Sequence, residues 1–80
     1  MPADNSPADT LDAIGLMCPE PLFQARTALD ALAPGDVLEV LADDAAAEED
    51  LTRFAKRAGH EMVSVEDIGD YKRFLIRRGE

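Results

Sequence analysis

Two prolines one residue apart, Pro19 and Pro21, restrict this chain more than any other feature of its 80 residues. Proline lacks the N–H that a helix interior uses. Its φ of about −65° nevertheless suits the first helical turn, where that N–H would have no partner. The pair therefore reads as a helix start, and the segments on either side must be arranged around it. It puts Cys18, the only cysteine in the chain, at or beside the N-cap. Unpaired backbone N–H groups and the positive end of the helix dipole favour an anion there. A thiol so placed is expected to ionise more easily than its reference pKa of about 8.5, and the thiolate is the nucleophile. A downward shift of one unit would raise the thiolate fraction at about pH 7.5 from roughly a tenth to roughly a half. The carboxylate of Glu20 opposes this shift. The competing reading is a buried, inert thiol, which is how free cysteine usually behaves.

A chain of this length makes one small domain with a single core. One cysteine excludes an intramolecular disulfide framework and a cysteine-rich zinc site, which fits a reducing compartment. There is no apolar run of membrane-spanning length. The opening Met-Pro-Ala-Asp-Asn-Ser-Pro matches neither a signal nor a transit peptide, so the expected location is the cytoplasm. Seventeen acidic residues against eight basic ones give a formal charge of −9. That charge repels a phosphate backbone or an anionic membrane, so neither direct nucleic-acid binding nor membrane binding is expected. It also suits a cytoplasm of high salt, where screening relieves self-repulsion.

Residues 1–9 have almost nothing to bury and read as a disordered tail, with one domain over 10–80. Thr10 to Ile14 can form a first strand, ended by Gly15, so that Gly15-Leu16-Met17 becomes the loop presenting Cys18. Leu22, Ala25, Leu29 and Leu32 recur at helical spacing, which predicts a helix from Pro19 to Leu32. Pro34-Gly35-Asp36 stops it. Val37 to Ala42 is short, mostly apolar and strand-like. Asp43 and Asp44 are N-cap candidates for a second helix, with Glu48, Glu49 and Asp50 as solvated first-turn charge rather than a metal site. Leu51, Phe54, Ala55 and Ala58 form its apolar stripe, and Gly59 closes it. Glu61 to Ile68 and Tyr71 to Arg78 read as strands joined at Gly69-Asp70 in a hairpin. The predicted order is β-α-β-α-β-β. It makes an α/β two-layer sandwich, a mixed four-stranded sheet with two helices on one face.

Lys72, Arg73, Arg77 and Arg78 cluster on the last strand. They suit either an edge strand protected by charge or a docking patch for an acidic partner. His60 is the only histidine, and nothing in its spacing brings it to Cys18 as a general base.

The stretch from Leu11 to Leu22, with Gly-Leu-Met-Cys-Pro-Glu-Pro at its centre, resembles the TusA/SirA family of small sulfur carriers. The likeness extends through the Pro34-Gly35-Asp36 turn, Gly59-His60 and the closing hairpin. It implies that Cys18 is the catalytic residue and carries sulfur as a transient persulfide, with Gly15, Pro19, Glu20 and Pro21 shaping its loop and with no cofactor or metal. It further implies a cysteine desulfurase or rhodanese-type donor and a protein acceptor, in relays such as tRNA thiolation or molybdenum-cofactor synthesis. Met17 departs from the family's usual basic residue at that position, which removes one source of thiolate stabilisation. The carrier is expected to be a monomer. Two other readings stand beside it: a regulatory or adaptor domain that does no chemistry at the thiol, and a peroxide-sensing thiol, which lacks a resolving cysteine.

Overall fold

A computed structural model describes residues 6–79. Its elements run β1 (Asp9–Asp12), α1 (Glu20–Asp30), β2 (Val37–Ala42), α2 (Ala47–Ala58), β3 (Glu61–Asp67) and β4 (Lys72–Arg77), the predicted order. The sheet is arranged β1-β2-β4-β3. β1 pairs parallel with β2, and the other two pairings are antiparallel. Both helices cover one face of this mixed sheet.

Alternation along the two inner strands decides what goes inside. Leu38, Val40 and Ala42 of β2 and Phe74 and Ile76 of β4 turn toward the helices and are buried. Ala25 and Leu29 of α1 and Ala47, Leu51 and Ala55 of α2 meet them. Burying each large aliphatic or aromatic side chain contributes about 1.5–3 kcal/mol, so this one cluster supplies most of the drive to fold. Leu22, Leu32, Phe54 and Met62 pack around its margin.

β1 begins at Asp9, one residue before the expected start, and the Ala8 N–H already donates to Val37 O at 2.7 Å. Pairing with β2 thus reaches into the expected tail, while residues 1–5 and Glu80 lie outside the described residues. α1 is shorter than the predicted Pro19 to Leu32. Pro19 has φ −101° and serves as N-cap. At the other end Ala31 and Leu32 donate to Ala28 O and Leu29 O, three residues back, which tightens and ends the helix. The hairpin turns at Gly69-Asp70 as expected, with the Ile68 N–H donating to Tyr71 O at 2.9 Å.

Three expectations are corrected. β4 is not an edge strand, because it lies between β2 and β3. Nor are the four cations a free docking patch: Arg73 donates to Glu39 of β2 and Glu66 of β3, Arg77 to Glu61, Lys72 to Glu48, and Arg78, just past the strand, to Leu32 O. A central strand has carboxylates on both sides, and in an acidic chain they take up its charge. The N-cap of α2 is Ala46, with no side-chain cap. Asp44 instead accepts the Ala46 N–H in a turn before the helix, and Asp43 points toward the cysteine loop.

Candidate functional site: the Cys18 loop

Hydrogen bonds from backbone N–H groups fix the loop between β1 and α1. Gly15 has φ +87°, a left-handed conformation that costs an L side chain about 1–2 kcal/mol. Its N–H donates to Asp43 Oδ1 at 2.9 Å, tying the loop to the end of β2. The Leu16 N–H donates to Ala13 O at 3.1 Å, and the Glu20 N–H to Met17 O at 2.9 Å. Ala13 is fully buried and Leu16 packs against the core, so the loop has an anchored base. Its tip is open: Met17 is 75% exposed, and Cys18 is exposed beside it. The competing reading of a buried cysteine is therefore corrected: the thiol is exposed. The Cys18–Pro19 peptide bond is cis.

The structure places the motif residues as a unit. Cys18 precedes the Pro19 N-cap, Glu20 is the exposed first residue of α1, and Pro21 is buried in the first turn. Across from them stands the first turn of α2. The Cys18 thiol donates to Asp50 Oδ2 with Sγ and oxygen 2.9 Å apart. Pro21, Leu22, Asp44, Ala47 and Leu51 complete a cleft around this pair that is too narrow for a water molecule.

The thiol pKa is raised, not lowered as the helix start suggested. The hydrogen bond to Asp50 is the largest cause, followed by desolvation and then by the charges of Asp50 and Asp44. The prolines explain why the helix end does not win. Pro19 and Pro21 have no N–H to offer an anion, and the Glu20 N–H is already taken by Met17 O. A full carboxylate charge in contact with sulfur outweighs what remains of a half-charge dipole. The carboxylate that opposes ionisation is thus Asp50, aided by Asp44, and not Glu20.

Asp50 was legible as a pattern. Ala47, Leu51 and Ala55 form the buried stripe of α2, with Phe54 packed beside them, and position 50 falls at its margin, at i+3 from Ala47. Its side chain is 22% exposed against 78% for Glu49, so the three first-turn acids are not equivalent. His60 does not join the site. It sits beyond the other end of α2, where its ring meets Phe54 and its Nδ1 accepts the Gly79 N–H at 2.9 Å. Gly79 is pressed so closely there that a Cβ would lie 1.8 Å from Gly59 O.

Beside the cysteine cleft, and sharing Leu22 with it, runs a groove of about 510 Å³ between α1 and α2. Phe23, more than half exposed, and Phe54 give it an apolar floor, and Arg26, Arg53 and Arg57 line it. Arg53 bridges to Glu49 at 3.3 Å. Arg26 and Arg57 have no carboxylate partner among the described residues. Among the described residues no cluster of potential ligands could hold a metal ion, and no helix is long and apolar enough to cross a membrane.

Comparison with known proteins agrees with this geometry. The family profile described as Sulfurtransferase TusA matches residues 9–78. A protein of Archaeoglobus fulgidus named "Putative sulfur carrier protein" is 44% identical over 68 residues, covering 84% of this chain and 88% of its own. The crystal structure of a SirA-like protein from Desulfitobacterium hafniense superposes with a TM-score of 0.79 at 32% identity. That match covers 90% of this chain and 99% of the other.

Proposed function

The chain belongs to the TusA family, and from that premise we propose that it is a sulfur carrier whose working atom is Cys18 Sγ. The observation that carries the proposal is the placement of an exposed thiol at the tip of a loop whose base is hydrogen-bonded and packed into the core. A carrier must present its thiol to two proteins in turn. A rigid loop on a small domain does that without rearrangement.

The chemistry needs one cysteine. In the first transfer the Cys18 thiolate attacks the outer sulfur of a donor persulfide. A sulfur–sulfur bond forms at Cys18, the donor's sulfur–sulfur bond breaks, and its electron pair stays on the donor thiolate, which takes up the proton that Cys18 gave up. Cys18 then carries a persulfide. Delivery repeats the step with an acceptor thiolate attacking the outer sulfur and Cys18 as leaving group. No oxidant or reductant is consumed, because sulfane sulfur passes unchanged between thiols.

The donor is proposed to be a cysteine desulfurase or a rhodanese-type protein and the acceptor another protein of a cytoplasmic relay, of the kind that leads to tRNA thiolation or molybdenum-cofactor synthesis, with the carrier acting as a monomer. The test is the intact mass of the reduced protein after incubation with a desulfurase and free cysteine. One added sulfur, removed by reductant and absent from Cys18→Ala, supports the reading. A Cys18→Ala protein that still gained the sulfur would remove it.

A further inference from the structure

The contact between Cys18 and Asp50 poses a problem for a sulfur carrier, since the nucleophile is the thiolate and the nearest charged group favours the thiol. We propose that Asp50 is a positioning residue of the relay: its carboxylate holds the hydrogen of the Cys18 thiol while the carrier is free, and the sulfur becomes a nucleophile only in the donor complex. This rests on the carrier reading and adds to it a control of when the sulfur reacts.

The geometry supports the assignment in three ways. Asp50 reaches Cys18 from a different element, across 32 residues of sequence, so the contact is made by the fold and not by local chain geometry. The carboxylate is itself held, because Asp50 lies at the margin of the buried stripe of α2 between Ala47 and Leu51, which are both buried, and its Oδ1 is 3.9 Å from the Arg53 guanidinium. Among the described residues no histidine competes for the proton. From the turn before α2 comes Asp44, from α1 the exposed Glu20, and from α2 Asp50 and Arg53, while His60 is at the far end of α2 and Asp43 is engaged by Gly15. Among the described residues the thiol proton has one acceptor, Asp50. In the transfer step that proton ends on the donor's leaving thiolate, and the Asp50 carboxylate is left unchanged. A free carrier held as a thiol is also protected from stray electrophiles, which matters for a sulfur exposed at a loop tip.

The experiment is the rate of alkylation of Cys18 by iodoacetamide, measured from about pH 6 to about pH 10 on the parent, Asp50→Ala, Asp50→Asn and Asp44→Ala. Asp50→Ala is expected to move the midpoint to lower pH. At neutral pH its rate should rise about threefold for each unit of that fall, since the gain in thiolate is partly offset by weaker intrinsic nucleophilicity. Asp50→Asn, which keeps an oxygen but not the charge, should fall between the two. Asp44 acts only through its charge, so its smaller effect should vanish in about 1 M salt, where the screening length is about 3 Å, while that of Asp50 persists. A folded Asp50→Ala or Asp50→Asn protein whose profile superimposes on the parent's would overturn the assignment. Desulfurase loading is measured on the same samples. A shifted profile with no loading of any sample counts against the carrier reading alone, and normal loading with an unshifted profile counts against Asp50 alone.

Discussion

The Gly15 N–H and Asp43 Oδ1 meet at 2.9 Å, joining the loop that carries the sulfur to the strand end 28 residues later. Asp43 thus stiffens a loop and caps no helix, and its removal should loosen the cysteine without unfolding the domain. Asp43→Ala is expected to lower stability by about 0.5 kcal/mol, a modest value because the site is exposed, and to speed amide exchange from Gly15 to Cys18. Gly15→Ala should cost more, about 1 kcal/mol, because its φ of +87° strains any side chain although nothing stands in its way. Urea unfolding of both variants gives the two energies. Equal exchange rates in the parent and Asp43→Ala would show that the contact does not hold the loop.

On the open face of the sheet, Glu39 accepts from Arg73 and from Thr10, and these bonds, the Arg73 bond first, hold its pKa below the usual carboxylate range. A lowered folded pKa gives stability that is fully present above the unfolded value of about 4.3 and is lost as pH falls through the folded value. Glu39→Gln should therefore cost about 1 kcal/mol at neutral pH and progressively less in acid. Urea midpoints of the pair at neutral pH and at about pH 3 test the sign. A difference that grew in acid would contradict it.

Much of this was readable in advance because periodicity and punctuation agree. The stripe on α2, the alternation on β2 and the stops at Gly15, Pro34-Gly35 and Gly59 each specify one element, and together they leave one sandwich. What the sequence did not yield was set by contacts between distant segments. β4 is interior because the chain places β3 outside it, and strand order is not encoded in either strand alone. The direction of the thiol shift failed for the same reason. Local reading sees a helix start at Cys18, whereas the deciding group, Asp50, arrives from another helix. The prolines that located the site also strip it of the N–H donors on which the local argument relied.

The groove between α1 and α2 makes a prediction about the donor. Arg26 and Arg57, unpaired among the described residues of an acidic protein, offer their charge to an acidic surface, with Phe23 as the apolar contact. The donor protein should seat there to bring its persulfide to Cys18. Arg26→Glu with Arg57→Glu should raise the donor concentration needed for half-maximal loading by tenfold or more, about 1.4 kcal/mol, and leave alkylation of Cys18 by a small reagent near its parent rate. Loading that is indifferent to both reversals would place the donor elsewhere.

The central claim is that Cys18 accepts one sulfur atom and gives it up. Intact mass spectrometry of the reduced protein, after incubation with a cysteine desulfurase and free cysteine, measures this directly. The account predicts a gain of one sulfur on the parent, its loss on adding reductant, and no gain on Cys18→Ala. An unchanged mass with a desulfurase, and again with thiosulfate and a rhodanese, would contradict it.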